Sequence, residues 1–167
     1  MKQLPHRRVR CLDPGVWPDA GERQRVLIEN PDRAELWAQA RILQEAGYEV
    51  ATCGGPWEPL GGPHHLTGRA DGGRRTRCPL LELGHCPLAE GADLTISSTS
   101  LTDGAEIIAA HRSRRSAALI VEPSGPVDTE VDDVDGTVFM RLPVTGETLR
   151  GAVRRVLAAG PEPGATA

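Results

Sequence analysis

No run in this chain of 167 residues approaches the length of a membrane-spanning helix, and Met1-Lys2-Gln3-Leu4-Pro5 lacks the apolar stretch of a secretory leader. No membrane association and a cytoplasmic location are therefore the expectation. Basic residues are not in excess either: 19 Lys and Arg stand against 23 Asp and Glu, a formal charge of −4. A general nucleic-acid binder needs the opposite balance, so Arg74, Arg75 and Arg77, like Arg112, Arg114 and Arg115, are expected to be solvated surface. After the first apolar run the chain reads Glu29-Asn30-Pro31-Asp32 instead of a Gly-rich phosphate-cradling loop, which counts against nucleotide or flavin binding. Close Cys-x-x-Cys pairs are missing, and with them the recurrent zinc spacing. The acidic run Asp128, Glu130, Asp132, Asp133, Asp135 lacks the glycine and glutamate spacing of an EF-hand and reads as a solvated loop.

What is present is a regular alternation. Arg25-Val26-Leu27-Ile28 predicts a strand, after which Asn30 offers an N-cap and Pro31 a first helical residue whose missing N–H costs nothing. Leu36, Ala40 and Leu43 recur at i, i+4 and i+7, and Gly47 supplies a left-handed stop. Further strands are predicted at 48–52, 92–98, 117–121 and 137–140. Helices are predicted from Thr102-Asp103 through Ile107-Ile108, and from Thr145-Gly146-Glu147 with Leu149, Val153, Val156 and Leu157 on one stripe. Strand-helix-strand units imply parallel strands joined by right-handed crossovers. The expected fold is α/β, a five-stranded parallel doubly wound sheet over residues 24–159. Residues 1–23, with Pro5, Pro14 and Pro18, read as an N-terminal arm, and 160–167 as a disordered tail. Trp17 would be a docking anchor for the domain itself or for a partner, the domain being favoured, and Trp37 is expected to pack in the core or at its edge.

Arg25-Val26-Leu27-Ile28-Glu29-Asn30-Pro31-Asp32, Glu45-Ala46-Gly47-Tyr48-Glu49-Val50, Ala92-Asp93-Leu94 and Leu142-Pro143, in that order over residues 24–158, resemble the landmarks of response-regulator receiver domains. The resemblance implies a CheY-like, flavodoxin-like fold with strand order 2-1-3-4-5, and it points to positions where chemistry would sit. A working receiver holds Mg²⁺ on a pair of acids after the first strand and takes phosphate on an aspartate ending the third. It has a small hydroxyl residue after the fourth strand and a lysine before a proline after the fifth. Here the acidic pair reads Glu29-Asn30 or, one residue on, Asn30-Pro31. The phosphoacceptor position reads Ser98, the fourth strand runs into Glu122-Pro123, and the lysine position reads Leu142 beside Arg141. Mg²⁺ prefers carboxylate oxygens, phosphoryl transfer is mainly charge neutralisation, and a serine cannot form an acyl phosphate. The chain reads as a degenerate receiver, a pseudo-receiver in which no Mg²⁺-dependent phosphorylation is expected. The acidic run stands where the fourth helix of a receiver would lie, which alters a face that receivers commonly use for partner contacts.

Three of the four cysteines lie between the second and third predicted strands, around an insertion over residues 54–90 that replaces the second helix. Cys53 leaves the second strand, and Cys78 and Cys86 each open a Cys-Pro-Leu unit. Long structureless loops are uncommon unless functional or disordered, and in a reducing compartment metal binding or redox chemistry gains weight over a stable disulfide. Cys53, Cys78 and Cys86 are therefore candidate metal ligands, with His64, His65 or Cys11 as a fourth, for a structural zinc ion or an iron–sulfur cluster. His85 is disfavoured because it adjoins Cys86. A redox-active dithiol and inert packing as small hydrophobes stay open beside this reading.

Two functional readings follow. The leading one is a phosphorylation-independent, receiver-like signalling or regulatory module, not an enzyme, that binds a protein partner and carries the cysteine site as a sensor. The alternative is a small redox protein or enzyme using Cys53 as its reactive group in the crevice at the carboxyl end of the sheet, where doubly wound folds bind ligands.

Overall fold

Val26, Leu27 and Ile28 are each 0% exposed, as a run of consecutive apolar residues must be when its strand is covered on both faces. They belong to β1 (Arg25–Glu29) in a computed structural model that describes residues 17, 23–55, 78–114, 117–123, 131–134, 137–140 and 145–159. The elements that follow are α1 (Arg33–Glu45), β2 (Glu49–Cys53), α2 (Pro79–Glu82), α3 (Pro87–Glu90), β3 (Leu94–Ser98), α4 (Gly104–Arg114), β4 (Ala118–Glu122), β5 (Val131–Val134), β6 (Thr137–Met140) and α5 (Gly146–Ala159). The sheet order is β2-β1-β3-β4-β6-β5. β2, β1, β3, β4 and β6 are parallel neighbours, so the five-stranded parallel sheet in order 2-1-3-4-5 expected from the sequence is present. Among the described residues no helix is long and apolar enough to cross a membrane.

Alternation along the strands divides the core in two. Val26, Ile28, Leu94, Ile96, Ile120, Val138 and Met140 face α1 and α5, meeting Leu36, Ala40, Leu43, Leu149, Val153 and Val156. Leu27 and Ala51 face the other way, against Leu80, Cys86, Leu88, Ala89, Leu101 and Ile107 of α2, α3, α4 and the turns beside them. The predicted stripes of α1 and α5 are thus the buried ones, and Gly47 ends α1 with φ of 95°, a conformation that costs glycine nothing.

Four expectations are corrected. The N-cap of α1 is Asp32, whose carboxylate accepts the N–H groups of Ala34 and Glu35 at 2.8 and 3.1 Å; Asn30 and Pro31 precede the cap, because the Asn30 side chain is engaged elsewhere. The two Cys-Pro-Leu units are not structureless loop. Each opens a four-residue helix, with Cys78 or Cys86 at the N-cap and proline just inside, where its lack of an N–H is tolerated. The acidic run holds a strand: β5 pairs antiparallel with β6 at the sheet edge. Trp37, expected in the core or at its edge, is 41% exposed and is not one of the buried core residues.

Trp17 docks on the domain. Its indole N–H donates to the Leu88 carbonyl at 3.0 Å, and the Arg25 guanidinium lies over the ring at 5.7 Å from its centroid. Residues 1–16, 18–22 and 160–167 fall outside the described residues. Gly91 leaves room for the ring, since a Cβ there would run into the Trp17 indole. Gly91→Ala should displace Trp17, shifting tryptophan emission to the red and lowering stability by about 1–3 kcal/mol. Wild-type emission and stability in that variant would show that the ring is seated elsewhere.

Candidate functional site at the carboxyl end of the sheet

Because side chains alternate, the last residues of β1, β3 and β4 divide between the two faces. Asn30, Ser98 and Glu122 continue the rows of Ile28, Ile96 and Ile120 toward α1, whereas Glu29 and Ser97 continue the rows of Leu27 and Thr95 toward α4. Ser98 pairs with Glu122 in register, and Glu29 with both Ser97 and Cys53. The described positions that the resemblance marked therefore lie together at the carboxyl end of the sheet, with Glu29 turned to the opposite face from Asn30, Ser98 and Glu122.

On the α1 face a polar cluster is closed upon itself. Glu122 is 0% exposed. Its carboxyl group is met by Gln39 Nε2 at 2.6 Å and by Asn30 Nδ2 at 3.3 Å, and the same Asn30 nitrogen donates to Glu35 at 3.1 Å. The Asn30 carbonyl oxygen accepts the Asp32 N–H at 2.9 Å, which sets the turn leading into α1. Burial, reinforced by the Glu35 charge and partly offset by the Gln39 and Asn30 amides, pushes the Glu122 carboxyl up to about 7. Ser98 shares a hydrogen bond of 2.7 Å with Ser100 and receives the Ser100 N–H at 3.3 Å.

On the α4 face Glu29 is bound to His111, Oε2 to Nε2 at 3.0 Å, with both side chains buried. Sequence reading passes over His111. The available signal was its place on the apolar stripe of α4, four residues after Ile107 and three after Ile108, both buried. Ser97 Oγ and Thr95 Oγ1, also on this face, have no hydrogen-bond partner among the described residues.

The three cysteines do gather. Cys86 is 5% exposed within the apolar layer under α2 and α3, and Cys53 and Cys78 pack against the same layer. Among the described residues no disulfide joins them, and no group of three or more His, Cys, Asp and Glu side chains is arranged to hold a metal ion. Burial pushes the Cys78 thiol up to about 11 and raises the Cys86 thiol as well, which favours the neutral thiol at both. His64, His65 and Cys11, the candidate fourth ligands, lie outside the described residues, as do Arg141 and Leu142.

The raised Glu122 carboxyl has a thermodynamic consequence. The folded chain holds that proton more tightly than the unfolded chain does, so the contribution is complete below about pH 4.5 and is lost as pH rises through about 7. At its upper bound a displacement of this size corresponds to about 3 kcal/mol. Glu122→Gln should match the wild type in urea denaturation at acid pH and exceed it by up to that amount at pH 8. A difference independent of pH would show that the carboxyl is ionised throughout.

No protein-family model matches this chain and no curated protein does. Solved structures do. A receiver protein from Sinorhizobium medicae WSM419 is similar at 14% identity with a TM-score of 0.55, over 83% of this chain and 97% of that one. A CheY-like receiver domain protein from Methanospirillum hungatei JF-1 is 19% identical with a TM-score of 0.51, over 82% and 95%. The receiver domain of the Erythrobacter litoralis PhyR response regulator is 13% identical with a TM-score of 0.55, over 86% and 97%. The chain has the fold of response-regulator receiver domains.

Proposed function

We infer that this chain is a receiver-like signalling or regulatory module that works without phosphorylation, by binding a protein partner in the cytoplasm, and that it is not an enzyme. The observation that carries this reading is the state of the carboxyl end of the sheet. The acidic-pair positions supply one carboxylate, Glu29, and it is bound to His111; Asn30 is a neutral amide spent on Glu122 and Glu35. Ser98, at the acceptor position, is a hydroxyl turned to Ser100. Glu122 replaces the small hydroxyl residue with a buried carboxyl that would repel an incoming phosphate once ionised.

That donor set does not suit Mg²⁺, which calls for accessible carboxylate oxygens. Transfer of a phosphoryl group needs metal and cation to neutralise its charge, and the lysine position reads Leu142. Cys53, Cys78 and Cys86 all lie against the apolar layer under α2 and α3, where free cysteines pack as small hydrophobes; a zinc ion or iron–sulfur cluster held there as a sensor would bind them as thiolates, releasing their protons.

Incubation with acetyl phosphate and Mg²⁺ should leave the intact mass unchanged, with Ser98→Asp as the comparison variant. A Mg²⁺-dependent gain of one phosphoryl group on the wild-type chain, labile to hydroxylamine, would refute the reading.

A further inference from the structure

Glu122 occupies the end of a central strand, wholly shielded from water, and among the described residues its hydrogen-bond partners carry no positive charge. From α1 it faces the Gln39 amide and, across the Asn30 amide, the Glu35 carboxylate. From β3 it faces Ser98, a neutral hydroxyl held by Ser100. From β6 and α5 the inward residues of this face are apolar: Val138, Met140, Leu149, Ala152, Val153 and Val156. Of the charged residues of α5, Glu147, Arg154 and Arg155 are exposed and Arg150 is half-buried. Glu29 and His111 sit on the opposite face of the sheet, bound to each other. Among the described residues no salt bridge reaches Glu122.

The Gln39 contact has two hydrogen-bonding states. At 2.6 Å it is shorter than the usual N–H···O range and within the range of O–H···O bonds. Gln39 Oε1 has no partner among the described residues. With Glu122 protonated and the Gln39 amide turned over, the carboxyl O–H donates to the amide carbonyl at that length. With Glu122 ionised, the amide N–H donates instead, and two carboxylates confront each other across one shared Asn30 nitrogen.

We propose that Glu122 is a proton switch that couples pH to the seating of α1 on the carboxyl end of β4. Protonated, Glu122 is a neutral member of the closed network. When its proton passes to solvent, the new charge repels Glu35 through the Asn30 amide and loosens the first turn of α1, whose cap is set by that same asparagine. Burial and the Glu35 charge place the transition near neutrality, in the range where a cell can move it. The switch names the stimulus of the module inferred above and rests on that reading only for its signalling role; the titration itself is a property of the cluster.

The test follows the Glu122 side-chain carboxyl ¹³C resonance and the backbone amides of residues 30–39 in the full chain from about pH 5 to 9. Glu122 should titrate with a midpoint near 7, and the amides of Asn30, Glu35 and Gln39 should shift with the same midpoint. Glu122→Gln should abolish those amide shifts, and Glu35→Gln should lower the Glu122 midpoint by on the order of half a unit to one unit. A midpoint in the ordinary carboxylate range of about 4 to 5, amides that do not follow Glu122, or shifts that persist in Glu122→Gln would each overturn the switch. Those results leave the phosphorylation test untouched, and an acetyl phosphate adduct would remove the signalling reading while leaving the titration in place.

Discussion

The hydrogen bond between Gln39 of α1 and Glu122 at the end of β4 is the contact on which the carboxyl end of the sheet depends. A carboxyl group placed at 0% exposure is costly unless donors meet it, and here the donors come from two other elements. Gln39 reaches it from the second turn of α1, and Asn30 from the residue after β1. Asn30 also turns the backbone into the Asp32 cap. The position of α1, the turn that precedes it and the state of Glu122 are therefore a single arrangement. A change in any of them is felt by the others, since removing one partner leaves a buried polar group unsatisfied at roughly 1–3 kcal/mol.

The opposite face is closed in a different way. Glu29 and His111 satisfy each other under α4, and the three thiols fill an apolar layer with Leu80, Leu88 and Leu101. The two acidic-pair positions are divided between two buried networks, Glu29 with His111 and Asn30 with Glu122. Among the described residues the Glu29 and Glu122 carboxyl groups at this end of the sheet are buried and hydrogen-bonded, and the α1 face offers two hydrogen-bonding states. That combination is what joins the proposed function to the proposed switch.

The sheet was legible because buried parallel strands are written as continuous β-branched and aliphatic runs, and because Gly47 and the stripe of Leu36, Ala40 and Leu43 each have one physical reading. The start of α1 was harder: Asn30, Pro31 and Asp32 all carry cap chemistry, and what decides among them is Glu122, a partner 92 residues away that draws off the Asn30 side chain. Proline at the first helical position predicts helices at 79 and 87, but four-residue helices have too little periodicity to stand out beside the cysteines preceding them. β5 has no strand pattern of its own and exists by pairing with β6. Of the site, the positions were legible through the resemblance and their partners were not, because Glu29 to His111 and Glu122 to Gln39 are contacts between elements far apart in sequence.

On the function proposed above, closed hydrogen-bond networks stand at the carboxyl end of this sheet in place of metal and phosphate chemistry. Titration of the ¹⁵N-labelled chain with millimolar Mg²⁺ at pH 8, where Glu122 would be ionised, tests it most directly. No saturable shift is expected at Glu29, Asn30, Ser98 or Glu122; saturable, localised shifts at these residues would show that the networks open to the metal.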